Sequence, residues 1–328
     1  MSMRKPHGRF WLRGCLVLLI LSGFFSAPSP AAVKKLKVVT TVAPITNLVK
    51  NVGGSRINLR GIIPEGTDSH TFEPRPSDIA LIAEADLVIL NGLHLETPTE
   101  KLVEANGKPG VVMLKLGDNT ITEQEWIFDF SFPKEQGDPN PHLWLNVPYT
   151  MKYVELIRDQ LIALDPENKE FYAKNAETYL AKLQQLDKQI EAAIQSIPPQ
   201  HRKLLTYHDS WAYFARRYGM TVIGAIQPAS FSEPSPQEVA KLIDQLKGEK
   251  VPAIFGSEVF PSKVLDQIAR EAGVKYVDTL RDDDLPGPVG SPEHTYVGMM
   301  LEDVKTMVAA LGGNPESLNG IDPADLHT

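Results

Sequence analysis

Cysteine is all but missing: the chain of 328 residues has one, Cys15, and it stands before the apolar run at 16–21. Once the leader is cut the mature chain has none, so disulfides and cysteine-ligated metal are excluded even in an oxidising compartment. Positive charge is scarce as well. Lys and Arg number 33 against 41 Asp and Glu, a formal net charge of −8. Loss of the four basic residues Arg4, Lys5, Arg9 and Arg13 with the leader takes −8 to −12. That balance argues against nucleic acid and anionic lipid as partners and favours attraction of cations. The apolar run is far short of the ~20 residues that a membrane-spanning helix needs. No His-Glu-x-x-His pair, Gly-x-Ser-x-Gly elbow or phosphate-binding glycine loop occurs. The usual signatures of a zinc protease, a serine hydrolase and a nucleotide-binding enzyme are therefore lacking.

What is present begins with that leader. Four basic residues, the apolar run and the small residues Ser26, Ala27, Ala31 and Ala32 make residues 1–32 a secretion signal. A lipid-attachment cysteine would follow the run, so a periplasmic protein that is not a lipoprotein is expected. Behind the leader, strand-like runs at 36–42, 57–63 and 86–92 alternate with helical segments opened by Pro44 and Pro76. Such alternation predicts a parallel sheet covered on both faces. Between Pro166 and Pro198 there is neither proline nor glycine, and Tyr172, Ala176, Tyr179, Leu183, Leu186 and Ile190 recur in steps of three and four. This predicts an amphipathic helix of some 30 residues, a rod of roughly 45 Å. The β/α alternation then resumes at 203–207, 221–226, 253–256 and 274–277. The expected organisation is an N-terminal α/β lobe at 33–150, linking helices including the long one at 151–200, and a C-terminal α/β lobe at 201–328. A last helix is expected over 295–311, with residues from 314 onward loose.

Four stretches carry candidate metal donors: His70 in a strand-to-helix turn, His142 among apolar neighbours, and His208 and Asp278 where strands are expected to end. They lie 72, 66 and 70 residues apart. Imidazole nitrogen and carboxylate oxygen suit zinc, and they also serve manganese and iron. Donors so far apart in sequence must converge from two lobes, and strand ends are where open α/β sheets bind ligands. Each residue has an ordinary alternative. His70 can be a surface loop residue, His142 a satisfied buried histidine, His208 a helix cap, and Asp278 a turn cap or a partner of Arg281. His94 follows a strand and could approach the same place. Asp282-Asp283-Asp284 reads as a solvated loop lacking calcium-loop spacing.

The wording around these residues is more specific. Gly66-Thr67-Asp68-Ser69-His70-Thr71-Phe72-Glu73-Pro74, Asp138-Pro139-Asn140-Pro141-His142-Leu143-Trp144-Leu145-Asn146 and His208-Asp209-Ser210-Trp211 are the main stretches. Glu233-Pro234-Ser235-Pro236 and Ile254-Phe255-Gly256-Ser257-Glu258 add to them. In these the chain resembles the solute-binding proteins of zinc- and manganese-specific ABC transporters, over about 37–312. The resemblance implies two α/β lobes joined by one long rigid helix, with the metal at the cleft between them. It also implies the ligand set His70, His142, His208 and Asp278. Manganese-selective members typically have glutamate at the third position, so His208 points to zinc. Many zinc receptors have a histidine-rich loop before the second ligand; residues 123–137 are acidic and aromatic here and contain no histidine.

The expected function is a monomeric receptor that captures Zn²⁺ as its transported ligand and hands it to an ABC permease. A metallochaperone that loads it is a second candidate partner. A Mn²⁺ receptor is the alternative within the class. A zinc hydrolase, from another class, would need an open coordination position that four protein ligands do not leave.

Overall fold

Proline starts five of the longer helices, because its fixed φ suits the first turn and its missing N–H is not needed there. Pro44, Pro76, Pro98, Pro148 and Pro236 hold these positions. The computed structural model describes residues 35–227, 233–257 and 263–327. The leader with Cys15, and Glu258 of the motif above, lie outside the described residues.

The first half runs β1 (Leu36–Thr40), α1 (Ala43–Gly53), β2 (Ile57–Gly61), α2 (Pro76–Glu84), β3 (Leu87–Leu90), α3 (Thr97–Asn106) and β4 (Val112–Lys115). Then come α4 (Val147–Leu164) and α5 (Lys169–Gln195). The second half runs β5 (Lys203–Thr206), α6 (Ala212–Tyr218), β6 (Thr221–Ala225), α7 (Pro236–Glu249), β7 (Ala253–Ser257), α8 (Lys263–Ala272), β8 (Lys275–Leu280) and α9 (Tyr296–Ala310). The sheets have the same order, β2-β1-β3-β4 and β6-β5-β7-β8, and every pairing is parallel. β3 and β7 are buried throughout, as strands covered on both faces must be. The chain therefore has the two parallel-sheet α/β lobes that were expected.

The long linking helix is also present, and it is more than a strut. The whole predicted stripe from Tyr172 to Ile190 is buried on α5. It packs against α1 and α4 from the first half and α6 and α9 from the second. One apolar core consequently runs from Val38 through α5 to Met307, and a smaller one under α7 and α8 contains Leu205, Ile254 and Leu265. The C-terminal tail, expected to be loose, is docked instead. Asp325 accepts hydrogen bonds from Asn47 and Asn51 at 2.9 and 2.7 Å and pairs with Lys50 at 2.6 Å.

Two strand details position the site. Both sheets reverse their winding next to the first strand of each half, which opens a crevice at the carboxyl ends. In addition β8 carries a bulge: Phe255 pairs with Val277 but Ser257 with Leu280, so residues 278 and 279 together face Gly256. A bulge turns every later side chain relative to its neighbours.

Candidate metal centre

The centre is built at strand ends and by two long loops. His70 lies in the connection from β2 to α2, where Asp68 accepts the His70 N–H at 2.9 Å and the Thr71 hydroxyl at 3.0 Å. His142 lies in the connection from β4 to α4. There the Asn91 side-chain amide, beyond β3, donates to the Pro141 carbonyl at 2.9 Å and fastens the segment. His208 follows β5, with its carbonyl held by the Thr206 hydroxyl at 2.6 Å.

These three histidines converge. His70 Nε2 is 3.2 Å from His142 Nε2, which is 2.9 Å from His208 Nε2. All three ligand atoms lie within 4.8 Å of one another, the one such group among the described residues. His142 and His208 are buried and His70 is half-buried. The other ring nitrogens are occupied: His142 Nδ1–H donates to Asn140 Oδ1 and His208 Nδ1–H to Gln227 Oε1, each at 2.8 Å. That arrangement fixes the tautomer and turns the Nε2 lone pairs toward the common centre.

The carboxylate that lies beside His208 is Asp282. Asp278 sits inside β8 with its side chain exposed, and it is not part of the cluster. The strand expected to end at Val277 instead runs through the bulge to Leu280, which leaves Asp278 within it. The residues just beyond the true strand end are the three aspartates, and all are buried rather than solvated. Asp282 Oδ2 lies 3.6 Å from His208 Nε2, and its other oxygen accepts the Ser257 hydroxyl at 3.3 Å. The Asp282 carbonyl takes the Trp144 indole N–H at 2.7 Å. Asp283 and Asp284 accept the backbone N–H groups of Ser69 and Gly66 at 3.3 and 2.7 Å, so one acidic run grips the His70 turn of the other half.

The contacts of 3.2, 2.9 and 3.6 Å are close to the ~3.4 Å separation of two donors on one ion with bonds of ~2.05 Å; the three imidazoles form the compact group, and Asp282 approaches it at His208. His70, His142, His208 and Asp282 could therefore hold a small divalent cation. Burial pushes His70 and His142 well below the ordinary imidazole range, and charge on His208 adds to this. Burial also acts to lower His208, but Asp282, Asp283 and Asp68 outweigh it together with the Gln227 hydrogen bond, and its pKa is raised. Two lone pairs thus stand ready at neutral pH, while a proton and a metal ion compete for His208.

The loop at 123–137 acts as a strap rather than a collector. Ser131 N–H donates to Asp209 at 2.8 Å, Ser131 Oγ–H to the Gln227 carbonyl at 2.5 Å, and Ile127 N–H to the Tyr213 hydroxyl at 3.1 Å. Phe132, carried by this strap, packs its ring 5.4 Å from His70 and 5.9 Å from His142. It shields the imidazoles from water. Sequence reasoning missed Asp282, Asn140 and Gln227. The acidic run after a strand was a usable signal for the first; the other two are ordinary polar residues whose roles arise only from where they point.

The sequence model of the family described as zinc-uptake complex component A, periplasmic (ZnuA), matches residues 38–310. The chain belongs to this family. The manganese-binding lipoprotein MntA of Halalkalibacterium halodurans is 32% identical over 277 residues, covering 84% of this chain and 88% of its own. The zinc-binding protein TroA of Treponema pallidum is 31% identical over 306 residues, covering 90% and 96%. The structure of that TroA superposes with a TM-score of 0.76 at 29% identity, over 85% of this chain and 99% of TroA. The ZnuA family comprises metal receptors of ABC transporters, which serve a membrane permease and are not enzymes. One expectation is corrected here. MntA, and streptococcal relatives named for manganese, iron or metal transport, are called lipoproteins, which conflicts with reading this chain as not a lipoprotein. That reading rested on Cys15 preceding the apolar run, a local feature of the leader that says nothing of how relatives are attached. The extracytoplasmic location itself is supported.

Proposed function

We propose that this ZnuA-family receptor takes Zn²⁺ as its cargo, bound by His70, His142, His208 and Asp282, and releases it to an ABC permease. The observation that carries the reading is the donor set: three imidazoles whose ligand atoms lie within 4.8 Å of one another, with a buried carboxylate oxygen 3.6 Å from His208 Nε2. Nitrogen-rich four-coordinate sites suit zinc, whereas manganese favours oxygen donors and higher coordination. Asp282 Oδ2 is the oxygen that faces His208, while Oδ1 accepts the Ser257 hydroxyl, which holds the carboxylate in that orientation.

Simple competition between Zn²⁺ and Mn²⁺ does not discriminate, since most nitrogen sites bind zinc more tightly than manganese. The coordination number does. We expect the Co²⁺-loaded protein to show the intense visible absorption of a four-coordinate ion. Weak bands typical of five or six ligands, with Mn²⁺ retained through purification, would overturn the zinc assignment and leave the receptor reading intact.

A further inference from the structure

The strap bends sharply at 129–132, and this turn reaches the partners of both buried imidazoles. Asp129 N–H donates to the Phe132 carbonyl at 3.0 Å and closes the turn. Asp129 Oδ2 accepts from the Asn140 side-chain amide at 3.0 Å, and the Asp209 carbonyl accepts from the same amide at 2.6 Å. Asn140 Oδ1 faces the other way, accepting the His142 backbone N–H at 3.1 Å and the His142 Nδ1–H at 2.8 Å. Both ends of this buried amide are therefore used. Turning it end for end would set its oxygen against two acceptors and its N–H groups against the backbone N–H of His142. The orientation of Asn140 is thus dictated from behind. It in turn demands a hydrogen on His142 Nδ1 and leaves the lone pair on Nε2.

His208 is served from the same turn. Ser131, buried two residues after Asp129, donates its Oγ–H to the Gln227 carbonyl at 2.5 Å. Gln227 N–H donates to the Tyr207 carbonyl at 2.9 Å, so this residue is pinned at both backbone groups. From that fixed point its side chain accepts His208 Nδ1–H at 2.8 Å. The Asp129 carboxyl also meets that of Asp209, the residue after His208, and burial with this neighbour's charge pushes Asp129 well above the usual carboxylate range. Two carboxyls in such contact share a proton. These bonds are additional to the shielding of the rings by Phe132.

We propose that the turn at 129–132 is the positioning element for both buried imidazoles, with Asp129 acting on His142 through Asn140 and Ser131 acting on His208 through Gln227. The proposal rests on these histidines belonging to the cargo site. Neither Asp129 nor Ser131 touches the ion. What they contribute is pre-organisation: a ring already held in the right tautomer and direction binds without the cost of being ordered first. Because one turn serves both rings, they are set together although they come from different halves of the chain.

The test uses the full-length protein with the variants Asp129→Leu, Asp129→Asn and Ser131→Ala. Zn²⁺ affinity is read by chelator competition, and nitrogen NMR of the rings in the zinc-free protein reads the tautomers directly. Asp129→Leu keeps the bulk and removes the acceptor. It should weaken Zn²⁺ by about tenfold, the lower end for the outer partners of a metal-bound histidine, and His142 should lose its single tautomer. Asparagine can turn its oxygen to Asn140 and its N–H to Asp209, so Asp129→Asn should bring Kd back to within about twofold of the parent, a smaller loss than one hydrogen bond. Ser131→Ala should cost about threefold to tenfold, the worth of one hydrogen bond, and alter the His208 ring signals. Parent-like affinity and ring spectra in Asp129→Leu would overturn the proposal. So would an Asp129→Asn protein as weak as Asp129→Leu, or a loss of Tm in the variants with both rings unchanged. If leucine prevents folding, Ser131→Ala decides alone, and a parent-like His208 ring there refutes the shared element. A parent that binds no Zn²⁺ yet holds both rings in the Nδ1–H form would defeat the cargo reading and leave the positioning role standing.

Discussion

Replacing Asp282 by asparagine keeps the shape of the site and removes its single negative donor. Its backbone carbonyl still accepts the Trp144 indole, and the new side-chain oxygen can still accept from Ser257, so the fold should survive. What is lost is the carboxylate 3.6 Å from His208 Nε2. Apparent binding energies of four-ligand zinc sites run to about 10–16 kcal/mol, so one donor of four accounts for about 3–4 kcal/mol, or about 10²–10³ in Kd. Chelator-competition titration of Zn²⁺ at fixed pH reads this directly. Asp278→Asn, changing an exposed carboxylate on the bulge, should leave Kd unaltered. The same Asp282 variant should lower the pKa of His208, whose rise depends on that charge, and NMR of the ring protons in the apo protein would follow it. Equal affinity for the parent and Asp282→Asn, or a loss in Asp278→Asn alone, would refute the reassignment of the fourth donor.

Gln227→Ala removes the acceptor of His208 Nδ1–H and should weaken zinc about 10–100-fold at unchanged Tm; a fall in Tm without a fall in affinity would make Gln227 a packing residue only. Burial raises Glu96 to about 7 against the lowering effect of hydrogen bonds from Thr41, Asn91 and Gly92. Its folded pKa lies above the unfolded value of 4.5, so its contribution is full below 4.5 and is lost as pH rises through about 7. The total is about 3 kcal/mol. Urea midpoints of the apo protein measured from about pH 5 to about pH 8 should therefore fall more steeply in the parent than in Glu96→Gln, and parallel profiles would contradict the raised pKa. Leu183, fully buried at the centre of α5, should cost about 2–5 kcal/mol on truncation to alanine. Denaturant unfolding would register a smaller loss if the helix were merely an exposed strut.

Much of the fold was legible locally. The stripe on α5 follows from a periodicity that only a helix can bury on one face, and the proline positions follow from the geometry of a first turn. His70, His142 and His208 could be singled out because their surroundings are distinctive words, not because any one histidine is informative. Asp278 lies apart from the three histidines for a definite reason. Strand length is a property of pairing, and β8 is extended by its register with β7 and by an extra residue that pairing alone reveals. The tail from 314 onward was misread for a similar reason, since its partners on α1 lie some 270 residues away in sequence.

The sequence by itself determined the α/β class, the long helix, the absence of thiol chemistry and the three imidazoles, because these depend on residue type and short-range spacing. Tertiary structure decided which carboxylate lies beside them, which amide holds each ring and what covers the centre. Those choices turn on a one-residue bulge and on contacts across more than sixty residues of chain, and a side chain's direction at such distances is set by packing rather than by its neighbours in sequence.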